Sequence, residues 1–214
     1  MAVICFFGRT KSGKTFKAKK EIETKKRVFI FDAACDFDGG IEWDKYSWTE
    51  LISLGKKIRN KSNFKVIFRP NRHYGDLSDC ADQVAKFVLA FGDTFGKRSL
   101  QENIIFVLDE LDKYISISKK CSIKLAIEMG RHSNVDTFCI SQVPSSLPKF
   151  IRDNATEVYA FKLGLNDFYE SRLGFKIAQK LASSGFKDFF CFKWSDSNGI
   201  EFLNPQGRSI KHEA

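Results

Sequence analysis

The sequence predicts an α/β domain, a mostly parallel sheet with helices on both faces. Three observations predict it. Short runs rich in Val, Ile and Phe recur along the 214 residues, and they are apolar continuously rather than alternately, the pattern of strands buried on both faces. Helix-like segments lie between several of them, so strand and helix alternate. Between the first apolar run and the first helix sits "FFGRTKSGKTFKA" (6–18), with two glycines, three lysines and two threonines, the composition of a loop that binds an anion between a strand and a helix.

Taken in order, "AVICFF" (2–7) is the first strand, and a helix runs from Thr15 to about Lys26. "RVFIFD" (27–32) is the next strand, followed by a helix in "SWTELISLGKKI" (47–58) and a strand in "KVIFRP" (65–70). The helix "DLSDCADQVAKFVLAFGDTF" (76–95) leads to the strand "NIIFVLDE" (103–110), and the helix "KKCSIKLAIEMG" (119–130) to "DTFCISQ" (136–142) and "EVYAFKL" (157–163). After "KLGLNDFYESRLG" (162–174) a short helix precedes "DFFCFKW" (188–194) and "GIEFLNP" (199–205), read as a hairpin appended to the sheet edge. No repeat, low-complexity segment or proline-rich linker divides the chain. A single domain therefore spans 1–214, with a small C-terminal extension from about residue 164.

Composition excludes several classes. No apolar run approaches the roughly 20 residues needed to cross a bilayer, and "MAVICFF" enters the glycine loop without a basic leader or cleavage site, so a signal peptide is not expected. The six cysteines form no C-x-x-C pair, and Cys5, Cys139 and Cys191 sit inside apolar runs, which reads as buried thiols in a reducing compartment. His73, His132 and His212 are dispersed, so no transition metal is expected. The net charge of +9 suits a polyanionic partner. Its densest run, "KAKKEIETKKR" (17–27), reads as the solvated face of the first helix.

Gly8, Gly13, Lys14 and Thr15 fit G-x-x-x-x-G-K-[ST], after a strand and at the start of a helix as that motif requires. Residues 8–15 (Gly8, Arg9, Thr10, Lys11, Ser12, Gly13, Lys14, Thr15) would wrap backbone amides around a phosphate chain. Lys14 would reach the β- and γ-phosphates, and the Thr15 hydroxyl would bind Mg²⁺. "NIIFVLDE" ends in Asp109 and Glu110, a second acidic motif at the carboxyl end of a strand, on the rim where the glycine loop lies. Asp109 would hold Mg²⁺, and Glu110 would orient and deprotonate the attacking water. A water-activating acid suits a nucleotide hydrolase; a small-molecule kinase takes its nucleophile from its substrate. The guanine-reading N-K-x-D is absent, since "NKSN" (60–63) ends in asparagine. ATP is the expected nucleotide.

Downstream, "GRHSNVDTFCISQVPSSLPKFIRDNATEVYAFKL" (130–163) supplies a helix closing in Gly-Arg-His, a strand ending in Ser-Gln, and a Leu-Pro and Ile-Arg-Asp-Asn-Ala segment. With the glycine loop and the Asp-Glu strand, this order resembles the HerA and FtsK superfamily of ring-forming DNA-translocating ATPases. Within it, the chain looks most like the genome-packaging ATPases of membrane-containing icosahedral viruses. The resemblance covers residues 2–163. It implies a P-loop NTPase fold of the additional-strand, catalytic-glutamate type, with the sensor strand between the P-loop strand and the Asp-Glu strand. It implies that Gln142 is the polar sensor of the γ-phosphate and that Arg131 is the arginine finger offered to a neighbouring subunit, with Arg152 in reserve. It further implies double-stranded DNA and a capsid or vertex protein as partners, a homo-oligomeric ring of six, and a place in the host cytoplasm during assembly or with the virion. "FRPNRHYGD" (68–76), with Arg69, Arg72 and His73, is the candidate pore loop. Beside this stand a filamentous-phage-type assembly ATPase, which typically carries a membrane span, a small P-loop nucleotide or metabolite kinase, and a binder that does not hydrolyse.

Overall fold

The computed structural model describes residues 2–70, 76–95, 103–115, 122–163, 189–195 and 197–209. Among the described residues, nine strands form one sheet: β1 (Val3–Phe7), β2 (Arg27–Phe31), β3 (Ile41–Trp43), β4 (Phe64–Phe68), β5 (Ile104–Leu108), β6 (Val135–Ser141), β7 (Glu157–Ala160), β8 (Cys191–Ser195) and β9 (Gly199–Leu203). Their order is β3-β4-β2-β5-β6-β1-β7-β8-β9. The pairings from β3 to β7 are all parallel, while β7–β8 and β8–β9 are antiparallel.

Parallel strands need crossovers, and the crossovers put helices on the faces. Alternate side chains of each strand therefore enter two separate cores. Val3, Cys5 and Phe7 of β1 pack with α2 (Trp48–Ile58), α3 (Leu77–Phe95), α4 (Ser122–Met129) and α5 (Lys149–Asn154), whereas Phe6 packs with Ala18 and Ile22 of α1 (Lys14–Ile22). In β5, "IIFVL", every residue is buried, as its continuous apolarity predicts for an interior strand. The helices of the first face are read by their period. Ala81, Val84, Ala85 and Val88 of α3 are wholly buried at spacings of three and four.

The predicted α/β class and the appended hairpin hold. β6, the predicted sensor strand, lies between β1 and β5. The first helix starts one residue earlier than expected, at Lys14, and ends at Ile22, because the chain needs residues 23–26 to turn back into β2. Its lysines do face outward in part: Lys20 is exposed, and Lys17 pairs with Glu21 at 2.6 Å. β3 and α5 were not foreseen. β3 is three residues long and its middle residue Glu42 is exposed, too short a run to show a period. The short helix expected after residue 164 falls outside the described residues, as do Arg72 and His73. Cys5 and Cys139 are buried free thiols facing each other in register across β1 and β6, and Cys191 is buried on β8. No helix among the described residues is long and apolar enough to cross a membrane.

Candidate functional site

All the parallel strands end on one rim, so whatever follows their last residues converges there. Gly8 follows β1, Asp32 follows β2, Asp109 and Glu110 follow β5, and Gln142 follows β6. The loop after β1 turns through Lys11 at φ +64° and Gly13 at φ +105°. Gly13 is left-handed, as glycine permits at little steric cost, and α1 begins at the next residue. A side chain at Gly8 would collide with Ser12 Oγ and come within 2.8 Å of Phe161 Cβ. The chain thus closes tightly: the Ser12 amide donates to the Arg9 carbonyl at 3.1 Å, and the Arg9 amide to the Lys162 carbonyl at 3.0 Å.

Lys14 is buried, and burial lowers its pKa, with Asp109, then Asp112 and Asp36, pulling it back up. Asp109 is wholly buried and neither carboxylate oxygen has a hydrogen-bond partner. Burial above all, then the nearby Asp32 and Asp36 carboxylates, raises its pKa to about 7 against the pull of Lys14 and Lys113. Ser12 Oγ is likewise buried without a partner. Orphaned polar atoms are rare in native interiors and mark where an ion, water or ligand belongs. The residues fit a phosphate-bound cation: a hydroxyl at Thr15 and an unpaired buried carboxylate at Asp109 are hard oxygen donors of the kind Mg²⁺ takes alongside phosphate oxygens.

Glu110 leaves the strand in a left-handed conformation, φ +48°. Gln142 Nε2 donates to Glu110 Oε1 at 3.3 Å, and Lys113 forms an ion pair with Glu110 Oε2. The Gln142 amide in turn points to Asp112 Oδ1 at 3.4 Å. The structure therefore joins Lys14, Asp109, Glu110 and Gln142 in one polar cluster. Three members were missed in the sequence: Asp32, Asp112 and Lys113. Asp32 had a readable signal, since "RVFIFD" ends in an acid as "IIFVLD" does. It is wholly buried, accepts the Asp36 and Phe37 amides at 2.9 and 3.1 Å, and burial raises its pKa.

Arg131 stands elsewhere. It lies in a 3₁₀ turn, Gly130–Ser133, that precedes β6, so it occupies the rim opposite the cluster. Its guanidinium is exposed, with Nε 3.3 Å from His132 Nε2. Arg152 is half-buried in α5. Arg69, from the candidate pore loop, is committed within the fold: it bonds the Phe37 carbonyl at 2.5 Å and pairs with Glu42 at 3.2 Å and Asp32 at 3.7 Å.

No protein-family model and no curated protein matches the sequence. Solved structures do match. The genome packaging NTPase B204 from Sulfolobus turreted icosahedral virus 2, in complex with AMPPCP, aligns over 99% of this chain and 98% of its own at 15% identity, TM-score 0.70. B204, the DNA-packaging ATPase from Sulfolobus Turreted Icosahedral Virus, aligns over 98% of each chain at 15% identity, TM-score 0.68. VirB4 of Thermoanaerobacter pseudethanolicus aligns over 98% of this chain and 89% of its own at 11% identity, TM-score 0.65. At these identities the likeness is one of fold: this chain has the P-loop NTPase architecture, and the match extends past residue 163, where the sequence resemblance stops.

Proposed function

We propose that this chain is an ATP-hydrolysing, DNA-translocating motor that packages double-stranded viral DNA into a preformed capsid. The observation that carries this reading is the meeting of the glycine loop, Asp109, Glu110 and Gln142 on one rim, in the order β5-β6-β1. The end-to-end likeness in fold to a genome packaging NTPase supports the choice among P-loop functions.

In this reading residues 8–15 hold the triphosphate, and Lys14 offsets charge on the β- and γ-phosphates. Thr15 and Asp109 would hold Mg²⁺, which with the nucleotide would neutralise charge on the phosphate oxygens. Glu110 takes a proton from the water whose oxygen attacks the γ-phosphorus; the bond to the β-phosphate oxygen breaks, leaving ADP and phosphate. Gln142 is the sensor, since its contact with Glu110 ties the state of the γ-phosphate to β6. Arg131 serves a neighbouring subunit's site in a ring of six, and DNA passes through the ring held by its phosphates rather than read by its bases. A capsid or vertex protein receives the motor, in the host cytoplasm during assembly or on the virion.

The test is steady-state ATP hydrolysis by wild type and Glu110→Gln, with and without long double-stranded DNA, at low and moderate salt. Turnover that needs Glu110, rises with DNA and loses that stimulation as salt increases is the expected result. Turnover indifferent to DNA, or seen only when a small-molecule acceptor is supplied, would replace the motor with an assembly factor or a kinase.

A further inference from the structure

The strand order gives the site a direction. Asp109 and Glu110 follow β5 and Gln142 follows β6, so the groups that handle a terminal phosphate all stand on one side of β1. A nucleotide with its γ-phosphate there and extended across the glycine loop has its base on the other side, towards β7 and the β8–β9 hairpin. Two phenylalanines wait on that side. Phe16 follows Thr15 in the first turn of α1 and is 50% exposed; Phe189, just before β8, is 43% exposed. Their rings meet edge to face with centroids 5.9 Å apart.

Phe189 is built onto the glycine loop. Its amide donates to the Ser12 carbonyl at 3.0 Å, and its Cδ1 lies 2.8 Å from where a Cβ on Gly13 would stand. Its φ is +69°, a left-handed conformation that a bulky residue keeps only where its surroundings enforce it. The residues that follow it are anchored in the hairpin. Phe190 stacks on Phe202 of β9 at 5.6 Å, and Phe192 of β8 packs on the same ring at 4.7 Å. Lys20 Nζ, 5.8 Å from the Phe16 centroid, places a cation beside the pair. Two large apolar rings are thus held half in water at the mouth of an anion site, where burial would stabilise each of them.

We propose that Phe16 and Phe189 form the seat on which the base of the bound nucleotide stacks, so that the C-terminal hairpin completes the nucleotide site. The proposal rests on reading residues 8–15 as the phosphate site. An aromatic seat recognises the base by its ring area; it contributes to affinity for a nucleoside triphosphate and nothing to affinity for a bare phosphate chain.

That difference is the experiment. Calorimetric titration in Mg²⁺ compares ATP with inorganic tripolyphosphate on wild type, Phe16→Ala, Phe189→Ala, Phe189→Trp and Lys14→Ala, with circular dichroism and melting to confirm folding. Each alanine variant is expected to weaken ATP binding about tenfold and leave tripolyphosphate binding unchanged, and Phe189→Trp to retain ATP binding. Phe16→Ala keeps the comparison available if Phe189→Ala fails to fold, because Phe16 is a surface residue of its helix. Equal losses for both ligands would make the pair a mere support of the loop, and no loss for either would remove the seat altogether; both overturn the proposal. Failure of the phosphate-site reading shows separately, as tripolyphosphate binding that Lys14→Ala does not weaken.

Discussion

Adjacent carboxylates at the end of β5 are held in opposite states. Asp109 is wholly buried with both oxygens unpaired, whereas Glu110 is engaged by Gln142 and Lys113. This separation predicts a separation of roles. Lys14→Ala should weaken ATP binding about 10- to 100-fold, the loss of a charge-assisted contact. Glu110→Gln should bind ATP within about threefold of wild type while turnover falls about 10²- to 10⁴-fold. Titration for binding and steady-state kinetics for turnover check the pair, and equal loss of binding in both variants would contradict the split. Asp109 carries a second prediction, about pH. Its folded pKa, about 7, lies above the roughly 4 of an unfolded aspartate. Between those values the folded chain holds a proton that the unfolded chain has released, so the stability of the nucleotide-free protein falls as pH rises through this window and levels off above 7. The slope is at most about 1.4 kcal/mol per pH unit. Urea midpoints with a chelator present, from pH 5 to 8, should show the decline, and Asp109→Asn should lessen it, leaving the share from Asp32, whose pKa burial also raises.

At the scale of elements, α3 and the 3₁₀ turn that carries Arg131 approach so closely that one position of α3 must lack a side chain. A Cβ on Gly92 would collide with the Ser133 carbonyl oxygen, and Ser133 Oγ donates to Asp93 Oδ1 at 2.8 Å. Alanine in a helix interior is ordinarily better than glycine by about 1 kcal/mol. Here the contact with backbone reverses the sign. Gly92→Ala should destabilise the fold by about 1–3 kcal/mol in chemical denaturation, yet leave ATP binding unchanged, because the turn sits on the rim away from the glycine loop. Weakened ATP binding would mean that the two rims are coupled through β6. Gly92 also shows why sequence reading stops where it does. "DLSDCADQVAKFVLAFGDTF" is legible as a helix from its period, but nothing local distinguishes a glycine that admits another chain segment from one that is merely tolerated. The glycine loop and Asp109–Glu110 were legible because their signal is local: a run of buried residues, then the chemistry at its end. Asp32 has that same signal and was passed over; its Asp36 and Phe37 amide partners are local, but its ion-pair partner Arg69 comes from a distant segment. Phe189 had no local signal at all; its meaning lies in contact with Ser12 and Gly13, at the far end of the chain.

For the molecule as a whole, the distance between the two rims decides whether one subunit can complete its own chemistry. Arg131 precedes β6 and Gln142 follows it, and the seven residues of β6 span about 20 Å of extended chain. Arg131 is exposed at its rim, far beyond the few ångströms over which a guanidinium stabilises phosphate. If Arg131 acts in hydrolysis, it acts on another subunit, and in a ring of identical subunits the contact is head to tail, so each site borrows one arginine and each subunit lends one. The expected outcome follows from that arithmetic. Arg131→Ala has an intact loop and no arginine to lend; Lys14→Ala has an arginine to lend and no working loop. Each alone should hydrolyse ATP at a basal rate. Mixed in equal amounts with free exchange, about one quarter of interfaces place an intact loop against an intact arginine, so activity should rise to about one quarter of wild type and peak near equal mixing. Hydrolysis measured across mixing ratios, with labelled subunits demonstrating mixed rings, reads this directly. A flat response in rings that have mixed would remove Arg131 from the chemistry and leave it a surface cation.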